Sequence, residues 1–506
     1  MSQGVLPFKY EVENNRVGMT ALGGLPVYLD LLHVSGLFKL AGKHLGVRKT
    51  QGWSDGEMLT SLVLLNLAGG QCVEDLRIVE ADEGFCRVLR KSRMHGLRRG
   101  QRRELQRRWR KEKKRSVPSA SAAFRYLSCF HDGDQERFRQ PGKAYIPRAN
   151  RHLRGFSRIN RDFLSFVQSN NAQSVATLDM DATLVETTKT GALWCYKGYR
   201  SYQPLNTWWC EQGMVLHSEF RDGNVPAGYE QLRVFKESLG CLPDGVKTVR
   251  LRSDAAGYQH EVLKYCDLGN DKRFGRIEFA IGCPVGDEFK KAVSQVGQSE
   301  WKPLLKKVKG RHIDTGRQWA EVCFVPNAIG HSKKAPEYRY LAIREPMAEQ
   351  QILPGIDAAK PYSFPTMTMS FKNYKVFGLV TNMDWAGDDL ICWYHKRCGK
   401  SEQAHGVMKK DLAGGKLPSK DFGQNAAWWW IMILAMNLNA AMKSLVLGGF
   451  WICKQMKAIR FRLINVPARV LERSRSLLIR FCRGHPWIDA LVQARATIAQ
   501  LVPALV

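Results

Sequence analysis

Ser174-Val175-Ala176-Thr177-Leu178-Asp179-Met180-Asp181-Ala182-Thr183 is the stretch whose reading decides the fold. Its β-branched and apolar residues suit a pleated strand, and a turn follows at Lys189-Thr190-Gly191. Working downstream, residues 208–220 read as another strand, closed by Asp222-Gly223-Asn224. Residues 229–239 read as a helix, Thr248-Val249-Arg250-Leu251-Arg252 as a strand, and residues 261–265, beyond Ser253-Asp254, as helical. Strands first, then strand alternating with helix, predict a mixed α/β sheet flanked by helices. Residues 270–370 are less regular, with short strands expected at 322–325 and 338–343. No internal repeat is visible.

Working upstream, residues 20–85 predict helices: 27–32 and 59–67 are apolar runs rich in Leu, broken by Gly23, Gly24, Gly69 and Gly70. Between 87 and 115 the composition changes, with 15 Arg or Lys against only Glu104 and Glu112. A like-charge run is often a solvated linker. Trp109 within it and the renewed series Arg148, Arg151, Arg154, Arg158 and Arg161 favour contact with phosphate, the later arginines sharing one helical face by their spacing.

Composition excludes several classes. The 506 residues are 44% hydrophobic, too apolar for a disordered basic tail. The formal net charge of +30 implies a polyanionic partner, with nucleic acid ahead of a membrane surface. The most apolar stretch, 426–436, is shorter than the ~20 residues of a bilayer span and runs into Asn437 and Asn439, so a buried helix is expected. Met1-Ser2-Gln3-Gly4 carries no basic and apolar leader pattern, and the 13 cysteines are scattered without a CxxC pair. Reduced thiols in a cytoplasmic, nucleoid-associated protein are the expectation.

Acidic residues at strand ends stand out in so basic a chain. Asp179 and Asp181, two apart in a strand, project on one face beside Thr177 and Thr183. Asp254 ends a later strand, where capping of the following helix is its plainest role. Glu402 falls in a helical segment with His405 and Lys409 at i+3 and i+7. Carboxylates gathered from such places make a site for hard divalent cations, and two metals so held promote in-line attack at phosphorus.

Several segments together carry a family resemblance. They are Leu178-Asp179-Met180-Asp181-Ala182-Thr183, the Lys197-Gly198-Tyr199 turn with Gln203-Pro204-Leu205, Asp222-Gly223-Asn224-Val225-Pro226-Ala227, Leu251-Arg252-Ser253-Asp254, Tyr394-His395-Lys396-Arg397-Cys398-Gly399-Lys400-Ser401-Glu402 and Asn425-Ala426-Ala427-Trp428. Upstream, Ala68-Gly69-Gly70-Gln71-Cys72-Val73-Glu74-Asp75-Leu76 and Val117-Pro118-Ser119 belong with them. In order and spacing the chain resembles a DDE transposase of a bacterial insertion sequence, in the ribonuclease H-like superfamily, and is most similar to the insertion-sequence family thirteen-eighty.

The resemblance implies a ribonuclease H-like mixed sheet flanked by helices, interrupted by a β-rich insertion, with an α-helical N-terminal DNA-binding region. The corresponding parts are 1–165 with the basic segment 87–115, the catalytic domain in two pieces at 170–269 and 371–445, the insertion at 270–370, and a C-terminal helical region at 446–506 suited to dimerisation. The interval from Asp254 to Glu402 exceeds one strand–helix crossover, which is why an insertion is expected there.

It further implies Asp181, Asp254 and Glu402 as the catalytic, metal-binding triad, with Asp179 as rival for the first place. Asp181 is preferred because Asp181-Ala182-Thr183 resembles the family's Asp-x-Thr. Tyr394, Arg397 and Lys409 are implied contacts to the DNA end. One extra residue between Arg397 and Glu402 departs from the family's pattern and places Cys398 where Arg is usual, so Lys409 is the firmer phosphate contact. Arg102, Arg103, Arg107, Arg108 and Arg110 are expected to bind DNA from the basic segment. In some related enzymes a Trp of the insertion stacks on a flipped base, which makes Trp301 and Trp319 candidates beside their plainer reading as core residues.

The implied activity is cut-and-paste transposition: binding of terminal inverted repeats, cleavage assisted by Mg2+ with Mn2+ as substitute, and joining to target DNA, with a homodimer pairing two ends of double-stranded DNA and no membrane. Two other readings stand beside it. One is a ribonuclease H-like nuclease without strand transfer; the other is a DNA-binding protein from a catalytically decayed element.

Overall fold

The computed structural model describes residues 18–47, 52–112, 115–326, 337–347, 364–370, 372–397, 400–473 and 476–504. Its centre is a mixed sheet, ten-stranded among the described residues. The deciding stretch forms β1 (Val175–Ala182), followed along the chain by β2 (Leu205–Trp209), β3 (Met214–Glu219), β4 (Thr248–Ser253) and β5 (Glu278–Cys283). In space the order is β5-β4-β1-β2-β3. β4 runs parallel to β1 and β5 parallel to β4, whereas β2 pairs antiparallel with β1 and β3 antiparallel with β2. β1 is buried on both faces, Ala176, Leu178 and Met180 on one and Thr177 and Asp179 on the other, as a strand sandwiched between helical layers requires.

The expected single strand over 208–220 is a hairpin. Gly213, at φ +64°, turns the chain back by donating its N–H to the Cys210 carbonyl at 3.2 Å. Apolar residues on both sides of so short a turn hide it from a periodicity argument. Three short strands, Val185–Glu186, Leu193–Trp194 and Arg200–Tyr202, form a separate small sheet around the Lys197-Gly198-Tyr199 turn.

Residues 270–370 hold β5, helix Asp287–Ser294, β6 (Lys302–Val308), β7 (Arg311–Val322), β8 (Arg339–Pro346) and β9 (Thr366–Met369). With β10 (Lys372–Thr381) they continue the central sheet in the order β6-β7-β8-β10-β5, β9 lying on β10. The hinge between the two halves is the antiparallel β10–β5 pair, Gly378 with Cys283 through Thr381 with Ala280.

The outer edge of β3 is closed by side chains. Asn437 accepts from the Val215 N–H at 2.9 Å and donates to its carbonyl at 2.8 Å, while Asn160 donates to the carbonyls of Val215 and Leu216. An open strand edge would otherwise invite pairing with another chain. Asn437 belongs to helix Phe422–Ala441, buried almost throughout, with Trp428 and Trp429 donating their indole N–H groups to the Ala413 carbonyl and to Ser218. Each such side chain contributes roughly 1.5–3 kcal/mol of hydrophobic stabilisation. Extended to Leu447, this helix has the length and apolarity of a membrane span, but its asparagines and the indoles of Trp428 and Trp429 find partners inside the protein, as in a core helix.

The N-terminal part is helical, as expected, with helices Pro26–Val34, Leu37–His44, Asp55–Ala68, Glu83–Arg93, Arg99–Glu112 and Ala120–Ser128 among its elements. Helix Asp55–Ala68 begins with a capping box in which Ser54 and Glu57 satisfy each other's backbone N–H groups. The C-terminal region departs from the helical expectation for 446–506. It contains a hairpin of β11 (Ala468–Arg473) and β12 (Ser476–Phe481), whose first strand pairs with Met19–Thr20, before helix Ile488–Gln500 resumes. Ala468 and Val470 are buried while Arg469 and Arg473 are exposed, a period of two over a segment too short to stand out beside its helical neighbours. The described cysteines are free thiols.

Candidate active site

Parallel pairing of β1 with β4 runs from Val175 opposite Thr248 to Met180 opposite Ser253. Asp181 and Asp254 are the next residue on each strand, so two carboxylates leave adjacent parallel strands at the same level, with backbones ~4.8 Å apart. Asp254 also caps the short turn Ala255–Gly257, accepting from the Ala256 N–H at 3.1 Å. The capping role and a place beside Asp181 are therefore compatible.

Burial pushes the Asp181 carboxyl up to about 6; Arg397 opposes this, while Asp254 and Asp179 add to it. Arg397 is buried, with Nη2 3.8 Å from Asp181 Oδ2 and donating to the Met180 carbonyl at 3.4 Å. The sequence reading made Arg397 a DNA contact; in the fold it faces the carboxylate itself. Tyr394 donates its hydroxyl to the Ser253 carbonyl at 3.1 Å and so steadies the residue before Asp254. Gly282 permits this approach, because a Cβ there would stand 3.0 Å from the Tyr394 oxygen.

Lys409 is placed against the segment that follows Asp181. Its Nζ donates to Thr183 Oγ1 and to the Leu184 carbonyl, both at 3.2 Å. The helix bearing it widens over Val407–Asp411, where the Leu412 N–H reaches back five residues to Val407. Such wide turns recur at functional sites. Burial, Lys410 and Lys197 all lower the Lys409 pKa.

Asp179, the rival for the first place, is engaged inside the protein. It is 4% exposed and engaged by Arg252, whose Nε and Nη2 donate to its two oxygens at 2.6 and 2.8 Å, while the Cys210 thiol donates at 2.9 Å. Arg252 also donates to the Trp393 carbonyl at 2.5 Å and lies over the Trp393 ring. Sharing a face with Asp181 did not distinguish the two acids; the residue opposite does, since Asp179 is in register with Arg252. The role of Arg252 was missed, although an Arg inside an otherwise apolar strand was its signal.

Glu402 is exposed on the short helix Lys400–Gly406. Ala404 and His405 of that helix, not Glu402, join Asp181, Asp179, Asn206, Trp208, Cys210 and Arg252 around a cavity of about 60 Å3. Among the described residues no three His, Cys, Asp or Glu side chains converge as a metal site. The fold thus brings two of the three expected carboxylates together and leaves the third outside. Burial, with Lys409 and Arg397, holds the His405 imidazole down to about 4, hence neutral.

Beyond Tyr394 opens a cleft of about 1040 Å3, walled by β5, β6, β7 and helix Gly387–His395 and carrying Lys306, Lys307, His312, Arg317 and Lys396 together with Asp388 and Asp389. Trp301 and Trp319 are not its aromatic surface. Both are buried, Trp301 beneath Arg344 and Trp319 against Gly387. Of the basic helix Arg99–Glu112, Arg102, Arg103 and Arg107 are exposed; the side chains of Arg108, Trp109 and Arg110 lie outside the described residues, as does Cys398. Asp222 of the Asp222-Gly223-Asn224 segment is buried in a two-pronged pair with Arg139 at 2.7 and 2.8 Å, a structural latch rather than part of the site.

Comparison with solved structures finds similarity to a cryo-EM structure of the piggyBac transposase synaptic complex with hairpin DNA. It covers 83% of this chain and 74% of that one, at 9% identity and a TM-score of 0.37. Comparison with curated proteins finds no match. A family model described as transposase DDE domain group 1 matches residues 11–503, and the chain belongs to that family.

Proposed function

We propose that this transposase binds the terminal inverted repeats of a bacterial insertion sequence of the thirteen-eighty type, cleaves them and joins them to target DNA. The observation that carries this reading is the pair Asp181 and Asp254 on adjacent parallel strand ends, flanked by Arg397 and Lys409. The β5-β4-β1-β2-β3 order, three antiparallel strands followed by two parallel to the first, supports a ribonuclease H-like catalytic sheet.

The donor set suits a hard divalent cation: two carboxylates, one of them desolvated enough to sit near 6. Mg2+, or Mn2+ in its place, would be held by Asp181 and Asp254, with Glu402 as the proposed third ligand, and would supply two-metal activation of a water or 3′-hydroxyl. The chain's own residues do the rest. Arg397 opposes protonation of Asp181 and fixes its direction. Tyr394 holds the strand end that carries Asp254. Lys409 presents a compact cation beside the site, suited to a phosphate of the DNA end. The basic cleft past Tyr394 gives the duplex a path, and the helix Arg99–Glu112 a second hold. Two copies synapsing two ends, in the cytoplasm at the nucleoid, complete the reading.

A strand-transfer assay with end-containing oligonucleotides and Mg2+ tests it. Joined products are expected. Hydrolysis without joining supports a nuclease instead, and binding without cleavage supports a decayed element.

A further inference from the structure

Residues 449–487 contain nine Lys or Arg against Glu472 alone, a second basic segment, less dense than the N-terminal basic block. The fold brings these two segments from opposite ends of the sequence together. β11 pairs with Met19–Thr20, Val470 donates to the Gly18 carbonyl at 2.8 Å, and Arg87 of helix Glu83–Arg93 reaches the Val470 carbonyl at 3.5 Å. That helix leads directly into Arg99–Glu112. The hairpin is therefore attached to the root of the basic helix.

The hairpin has two different faces. Ala468, Val470, Ile479 and Phe481 turn toward the protein, whereas Arg473, Leu478 and Arg480 are exposed on the other side. Arg480 lies on the same outward face as Arg473 and beside Leu478, so this face carries exposed cations without an acidic residue. Next along the chain, Phe450 stacks on Trp487 with ring centroids 5.7 Å apart, Lys454 lies 4.0 Å over Phe450, and Arg462 lies 5.5 Å from both rings. Phe450 remains 50% exposed and Phe461 82%. Exposed aromatics interleaved with cations suit a nucleic-acid backbone and its sugars far better than a second copy, which would oppose one positive face to another.

We infer that the outward face of β11–β12 with the Phe450–Trp487 cluster is the C-terminal half of a composite duplex-binding surface whose N-terminal half is helix Arg99–Glu112. Six-residue strands and a 14-residue helix are each ~20 Å long, about half a turn of duplex apiece. The contacts go to phosphates, so this surface adds affinity and orientation rather than sequence choice. The inference rests on the reading that the chain acts on DNA.

The test is fluorescence anisotropy of a labelled duplex with the full chain, from 50 to 200 mM salt. The variant is Arg473→Gln/Arg480→Gln/Arg483→Gln, at exposed positions, with an unchanged melting curve as control for folding. Loss of three phosphate contacts lowers the slope of log affinity against log salt by about 2–3, and at least a tenfold loss of affinity at 150 mM is expected. Lys454→Gln/Arg462→Gln lowers it further. A steep slope in the parent that is unchanged in the variants overturns this inference alone; a parent that binds no duplex overturns the DNA reading with it. A shift in self-association with an unchanged slope identifies an interface between copies and also overturns it.

Discussion

Asp179→Asn tests whether Asp179 is a structural acid, as against the catalytic role proposed for Asp181 two residues away. The substitution keeps shape and removes the charge that neutralises Arg252. Both members are at most 4% exposed, and their pair is two-pronged at 2.6 and 2.8 Å. Breaking one side of such a pair leaves a buried cation uncompensated, which costs ~3–5 kcal/mol. The Trp393 carbonyl and ring still hold Arg252, which places the expected cost at the lower end, about 3 kcal/mol. With about 2–4 °C per kcal/mol for a domain of 150–250 residues, the melting temperature falls by several degrees. Because Arg252 links β4, β1 and helix Gly387–His395, the loss registers as global instability rather than a local defect. The assay pairs thermal or urea unfolding with Mg2+-dependent cleavage measured well below the transition. Asp179→Asn is expected to melt early yet retain cleavage, whereas Asp181→Asn folds and does not cleave. An Asp179→Asn chain with an unchanged melting curve and lost cleavage would refute the assignment and return Asp179 to the metal site.

Asp181→Asn carries its own stability prediction. The folded-state pKa of about 6 lies above the unfolded value of ~3.9. The metal-free parent is therefore most stable, in this respect, below about pH 4 and loses stability as pH rises through 6, by at most about 3 kcal/mol. Asp181→Asn flattens that segment of the pH–stability curve, and an unchanged slope in urea melts between pH 4 and 7 shows that the carboxyl is not desolvated. Asp254→Ala and Glu402→Ala are each expected to abolish cleavage while end binding measured by gel shift persists; retained cleavage removes the residue concerned from the site. Tyr394→Phe removes one hydrogen bond to Ser253, worth ~0.5–1.5 kcal/mol, and is expected to lower kcat more than it weakens DNA binding. Equal losses in both would make Tyr394 a DNA contact instead.

Much of the fold was legible because its signals are local. The alternation in 174–183, the strand at 248–252 and the apolar run inside Phe422–Ala441 each follow from neighbouring side chains. What escaped was set by partners distant in sequence. The hairpin at Cys210–Gly213 is decided by one glycine and a short turn, and β11–β12 by pairing with Met19–Thr20 at the other end of the chain. The same division runs through the site. The placing of Asp181 and Asp254 at strand ends was legible because strand ends can be read locally. The different fate of Asp179 was not, because it depends on Arg252 standing beside it in a parallel register that no local pattern encodes. For Glu402, a helix can be placed from sequence, but which of its sides meets the cavity is a tertiary fact, and here Ala404 and His405 face it.

On the proposed reading, the charges around the two strand ends make metal and nucleic-acid binding depend on each other. Three carboxylates, Asp179, Asp181 and Asp254, are gathered there with three cations, Arg252, Arg397 and Lys409. Without a ligand the group is near neutrality, which is why a chain carrying +30 overall can hold desolvated acids at all. A divalent cation added to that balance leaves an excess of positive charge in a partly dehydrated place, a state of high energy unless an anion follows. A phosphodiester supplies that anion, and the same phosphodiester arriving without the cation meets the carboxylates directly. Each ligand thus lowers the electrostatic cost of the other, and the internal Asp179–Arg252 pair matters because it takes one carboxylate out of competition. On the proposed reading, the surrounding basic surface raises the local concentration of DNA, while this balanced cluster confines productive metal binding to the moment when a phosphate is in place.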